Sequence, residues 1–183
     1  TGAIFLSDLW AFPDPTYDHA QKDATMRLLC QTIGAYLQAG DRYSDPLEKG
    51  HQLEEALPGL MAQVENALPF LRRGAIPYLA ALNCLSPFDA AVHDAWGRAL
   101  GGSVYAFYDA AWLNADLGAY LGPDFQGRYP AHFLHRRRPT LRLQHVVGVS
   151  DALTPAAATP TTSGLPGDLT SWIKRDGLTC FKL

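Results

Sequence analysis

The chain has 183 residues, 48% of them hydrophobic and 18% charged, with a formal net charge of -3. That content suffices for a packed core, and the acidic balance argues against a protein that neutralises phosphate backbones, leaving a small ligand or a protein as the expected partner and excluding nucleic acid. No apolar run approaches the roughly 18 residues that span a bilayer, no signal-like segment opens the chain, and the three cysteines have no paired spacing, so a cytoplasmic protein with buried thiols and no membrane partner is expected.

Thr1–Leu6 reads as a strand. It starts without methionine, and a lone strand needs partners, so further residues are expected ahead of it. Ser7–Pro15 follows as a loop, because Asp8, Pro13, Asp14 and Pro15 cannot continue regular structure. Trp10 and Phe12 ride on that loop, either as a plug at a core edge or as the wall of a substrate pocket.

From Asp18 to Gln38 the apolar positions Ala20, Ala24, Leu28, Ile33 and Leu37, broadened by Met26, Leu29 and Tyr36, predict a helix that ends near Gly40. A second helix begins at Ser44-Asp45-Pro46 and runs through Leu53, Leu57, Leu60, Val64 and Leu68. Pro58 inside it predicts a kink or break. The two helices are expected to form an antiparallel pair.

Ser86 and Pro87 read as an N-cap and a first helical residue for an alanine-rich helix over Phe88–Leu100, closed by Gly101-Gly102. Ser103–Tyr108 is a short helical turn or strand packing back on it. Residues 109–140 carry Gly118, Gly122, Pro123, Gly127, Pro130 and Pro139, which break any long element and predict an irregular surface connection. Leu141–Val149 is a strand entering a covered sheet, Ala156–Gly167 a loop, and Asp168–Arg175 a short helix. A glycine turn and a second strand end the chain, so 141–183 forms one βαβ unit. Alternation along the last strand sets Lys182 on the same face as Cys180 and as a residue at 184.

Other motifs read more plainly. Ser171 and Lys174 have the Ser-x-x-Lys spacing of acyl-enzymes but sit on an amphipathic helix without companion motifs. His132, His135 and His145 lack a nearby carboxylate or cysteine co-ligand, and Arg136-Arg137-Arg138 reads as a solvated or subunit-facing patch. His93 is expected to be a satisfied, partly buried histidine. Asp89 and Asp94, five apart, do not share a helix face closely enough for paired-carboxylate chemistry.

Ser86–Tyr105, with Asp89, Ala91, Asp94, Gly97, Leu100, Gly101 and Val104 in order, resembles the helix that joins cap to barrel in the enolase superfamily, mandelate racemase and muconate-lactonizing branch. Asp176–Leu183 resembles the family's second barrel strand, in which a glycine and an aromatic lead into Lys-x-Lys, with Lys182 the first lysine. The helical pair at 18–68 suits the family's cap, whereas 109–140 and His93 depart from its pattern.

The resemblance implies an α+β, mostly helical capping domain over 1–110, a connection over 111–140, and the first βαβ of a TIM-type (β/α) barrel over 141–183. It further implies a lyase or isomerase that takes the proton next to the carboxylate of a small substrate, with Mg²⁺ stabilising the enediolate. Lys182 is then the catalytic residue, Trp10 and Phe12 are candidate substrate contacts, and a homo-oligomer is expected. The metal carboxylates and the second lysine would lie beyond Leu183, since 183 residues cannot close a barrel of roughly 250. The rival reading is a non-enzymatic helical interaction module with a structural lysine.

Overall fold

The computed structural model describes residues 8–40, 43–135, 138–158 and 163–182. The expected strand Thr1–Leu6, Arg136, Arg137 and Leu183 lie outside the described residues. The elements are α1 (Asp8–Ala11), α2 (His19–Ala39), α3 (Pro46–Ala67), α4 (Tyr78–Ala99), α5 (Gly118–Leu121), β1 (His145–Val146), α6 (Leu169–Asp176) and β2 (Phe181–Lys182). The described residues are therefore mostly helical, with one two-stranded parallel sheet. It forms two compact units, 1–134 and 135–183. Among the described residues no helix is long and apolar enough to cross a membrane.

In the first unit α2 begins with a capping box. Asp18 accepts the Gln21 N–H at 2.8 Å, and the Gln21 side chain accepts the Asp18 N–H at 3.0 Å, which satisfies amides that the first turn leaves open. Thr25, Met26, Leu29 and Ile33 form its buried face, while Ala20 and Ala24, expected inward, are exposed. The large side chains decide which face turns inward, because each stabilises by about 1.5–3 kcal/mol on burial and alanine by much less. Asp45 caps α3 through the Glu48 N–H at 3.0 Å, and Leu53, Leu57, Leu60 and Val64 repeat at helical spacing to fill the core.

Pro58 does not break α3. The helix runs through it, and both Pro58 and Glu54, whose carbonyl would have taken the missing N–H, are exposed, so water can satisfy that carbonyl.

Helix α4 begins at Tyr78, eight residues before the start expected at Ser86, and Pro87 lies within it. Proline at 87 deprives the Asn83 carbonyl of its helical partner, and the Ser86 hydroxyl donates to that carbonyl instead, at 3.0 Å. The Ser-Pro pair therefore works as a mid-helix repair rather than as a start. Helices α2, α3 and α4 pack mutually around Ala80, Ala81, Cys84 and Leu85. After α4 the chain turns back closely: a Cβ on Gly97 would stand 2.9 Å from the Gly102 carbonyl oxygen and 3.0 Å from the Val104 nitrogen. Val104–Ala106 is a single 3₁₀ turn, not a strand.

Residues 111–134, read from sequence as a connection, pack with the helices through short turns and the buried Leu113.

In the second unit β1 and β2 pair in parallel with His145 opposite Phe181 and Val146 opposite Lys182. Asp168 caps α6 and Gly177, at φ +62°, ends it in the left-handed conformation that glycine adopts without a Cβ penalty. The strand expected over 141–149 narrows to two residues, and Leu141, Leu143, Val146 and Val149 are exposed rather than covered. Only where the facing strand offers partners does the ladder form, through His145 N–H to the Cys180 carbonyl and Val147 N–H to the Lys182 carbonyl, both at 2.9 Å.

Candidate functional site

Lys182 lies in β2, opposite Val146 of the parallel strand β1. Its backbone is fixed by the ladder to β1 and its side chain is exposed. Helix α6 leads into the strand, so the lysine is the last described residue of a β1–α6–β2 unit.

Trp10 and Phe12 belong to the helical unit and separate sharply. Phe12 is fully buried, its ring 5.8 Å from that of Tyr17 and under the Lys22 ammonium at 5.9 Å. It is a core plug, not a pocket wall. Trp10 is 59% exposed and remains open to a ligand.

The helical unit also carries a groove that the sequence reading missed. It has a volume of about 330 Å³ and is lined by Gly50, His51 and Glu54 of α3, Asp89 and His93 of α4, and Tyr120 of α5. Its wall is built from Asp45 outward: this buried carboxylate caps α3 and also accepts the Asn114 N–H at 2.7 Å, while the Asn114 amide donates to Glu48 at 2.9 Å. Those bonds hold the segment that carries Tyr120 against α3. Burial, with the nearby Asp45 and Glu48 carboxylates, pushes the Tyr120 hydroxyl up from its ordinary value.

His93 carries the polar side of the groove. Its Nδ1 lies 2.6 Å from the Tyr108 hydroxyl and its Nε2 3.6 Å from Asp89 Oδ1. Burial, with Tyr105 and Asp89 close by, pushes the Tyr108 hydroxyl up to about 12, so it stays protonated and available to donate to the imidazole. On α3, His51 meets Tyr120 edge to face at 5.3 Å and lies 3.6 Å from Glu55. Gly50 leaves room for Asp89, whose Oδ1 would stand 3.0 Å from an added Cβ. The signal in the sequence is Asp89 with His93, four apart on one helix face.

The remaining motifs have structural duties. Ser171 donates to Asp168 at 2.6 Å, so the Ser-x-x-Lys serine completes a helix cap. His132 Nδ1 accepts the Tyr129 N–H at 3.1 Å, and His145 packs on Trp172 at 5.7 Å. Asp94 pairs with Arg98 at 3.0 Å. Among the described residues no three His, Cys, Asp or Glu side chains converge to hold a metal ion. No protein-family model, no curated protein and no solved structure matches this chain.

Proposed function

We propose that this chain is the capping region and opening β/α unit of an enolase-superfamily enzyme of the mandelate racemase and muconate-lactonizing branch, a lyase or isomerase acting on a small carboxylate. One observation supports the reading: Lys182 lies in the second strand of a parallel β1–α6–β2 unit, the unit from which barrel enzymes are built. On this reading Lys182 takes the proton next to the substrate carboxylate. A second lysine two residues on would share its face, and each positive charge would favour the neutral form of the other, drawing the base toward working pH.

On this reading the carboxylates that hold Mg²⁺ would come from later strands of the barrel. The 183 residues are then inactive alone, and the intact enzyme is a cytoplasmic homo-oligomer. Trp10 is open to a substrate, while Phe12 supports the cap from its core.

The test begins with the reading frame that contains this sequence: lysine at 184 followed by acidic residues at the ends of successive strands is expected. The protein it encodes, with Mg²⁺ in deuterated buffer, should exchange the α-proton of a member of a panel of acid sugars and amino-acid derivatives, and Lys182→Ala should abolish that exchange. A stop codon after Leu183, a different residue at 184, or exchange that survives Lys182→Ala overturns the proposal.

A further inference from the structure

Two of the three cysteines meet between helices α2 and α4. The Cys30 Sγ lies 3.8 Å from the Cys84 carbonyl oxygen, and the Cys84 Sγ lies 3.5 Å from the Met26 carbonyl oxygen, so each thiol reaches the backbone of the other's neighbourhood. Small residues make the approach possible: Ala80 and Ala81 flank Cys84 on the core face of α4, and Gly34, one turn beyond Cys30, leaves the Phe88 ring 3.4 Å from where its Cβ would stand. Cys84 is fully buried, while Cys30 is only partly buried at the edge of the core. A partly buried thiol beside a fully buried one is the arrangement of an attacking and a resolving cysteine.

We propose that Cys30 and Cys84 are a reversible oxidation site that closes to a disulfide between α2 and α4 in the presence of a hydroperoxide. The Cys30 thiolate attacks the distal oxygen of the hydroperoxide; the O–O bond breaks, leaving a sulfenic acid on Cys30 and releasing water or the corresponding alcohol. The Cys84 sulfur then attacks the Cys30 sulfur, the S–O bond breaks, and the departing hydroxide takes the Cys84 proton as water. The two thiols lose two electrons and the hydroperoxide gains them, so no further reductant or oxidant is required.

The electrostatics run in the same direction. The neighbouring Cys84 side chain, with Arg27 nearby, holds the Cys30 thiol below its ordinary value, whereas the Cys30 side chain and burial push the Cys84 thiol up. Cys30 is thus the one to ionise and react first. Cys180 belongs to the other compact unit and takes no part.

The test treats the folded chain with hydrogen peroxide, then denatures it and alkylates the remaining thiols. Untreated protein should take up three alkyl groups, one per cysteine, and treated protein one, with a mass lower by two hydrogens before alkylation and a peptide map that joins Cys30 to Cys84. Dithiothreitol should restore all three. Cys180→Ser should still lose two thiols, and in Cys30→Ser the Cys84 thiol should remain alkylatable. A staple that closes the long loop between the two helices should also raise the melting temperature by roughly 5–10 °C. Three surviving thiols, sulfinic acid at Cys30 with free Cys84, or a link through Cys180 or between two chains would each overturn the proposal. The peptide map uses the unsubstituted protein, so the outcome stands even where a cysteine variant folds poorly.

Discussion

Ser86 Oγ donates to the carbonyl oxygen of Asn83 at 3.0 Å, the acceptor that Pro87 strips of its helical partner. One hydroxyl lets α4 run through a proline at the centre of the unit, where Ala80, Ala81, Cys84 and Leu85 are buried against α2 and α3. Ser86→Ala should leave that carbonyl unpaired and cost about 1–3 kcal/mol, read as a lower urea midpoint with an unchanged slope. Pro87→Ala restores the backbone donor and should recover most of the loss in the double variant. A double variant no more stable than Ser86→Ala alone would sink this account.

The same pair shows where the sequence misleads. Ser-Pro is a sound start signal in isolation, and nothing local distinguishes a start from a repaired interior; the choice is made by Ala80, Ala81 and Cys84, which gain burial only if the helix begins at Tyr78. Helix α3 was legible from Asp45-Pro46 and its leucine spacing because cap and core signals agreed. In α2 the helix and most of its buried face, Met26, Leu29 and Ile33, were legible, but alanines at 20 and 24 weigh as apolar in a pattern yet contribute little area and stay exposed. Lys182 and its βαβ setting could be read because glycine, helix cap and strand are local signals. Of the groove only the Asp89–His93 pair on α4 is a local signal; its opposite walls meet through the Asp45 to Asn114 bond, between residues far apart in sequence.

Gly97 should be irreplaceable for reasons of space. An added Cβ would stand 2.9 Å from the Gly102 carbonyl oxygen and 3.0 Å from the Val104 nitrogen, both backbone atoms that cannot swing aside. Gly97→Ala gains helix propensity of about 1 kcal/mol at most and should still be destabilised by about 1–3 kcal/mol through overpacking. Gly59→Ala, at a helical position with nothing within 4 Å of the added carbon, should be stabilising in the same thermal melt. Equal responses at the two glycines would remove the steric explanation.

Acid should release the cap of α6. Hydrogen bonds from the Ser171 side chain and backbone, with Lys174 nearby, hold the Asp168 carboxyl below 3.8. A group whose folded pKa lies below its unfolded one stabilises fully above the unfolded value and loses that contribution as pH falls through the folded one. The Ser171 amide proton, which donates to Asp168 at 2.9 Å, should therefore shift with an apparent pKa under 3.8 in an NMR titration. Asp168→Asn should flatten that response while keeping much of the cap, since asparagine also accepts the bond. A midpoint above 3.8 would contradict the geometry.

Tyr108 should be among the last tyrosines to ionise. Its hydroxyl is held near 12 first by burial and then by the negative charges of Tyr105 and Asp89, and it sits 2.6 Å from the His93 ring nitrogen. Alkaline titration followed by tyrosinate absorbance should show a late component that disappears in Tyr108→Phe. Asp89→Asn removes one negative neighbour and should move the component to lower pH, because less charge then opposes formation of the phenolate. The direction isolates one cause: burial and Tyr105 predict no movement on neutralising Asp89, whereas coupling to that carboxylate predicts a downward one. A late component that stays fixed in Asp89→Asn would detach Tyr108 from the groove carboxylate and leave burial and Tyr105 as the causes.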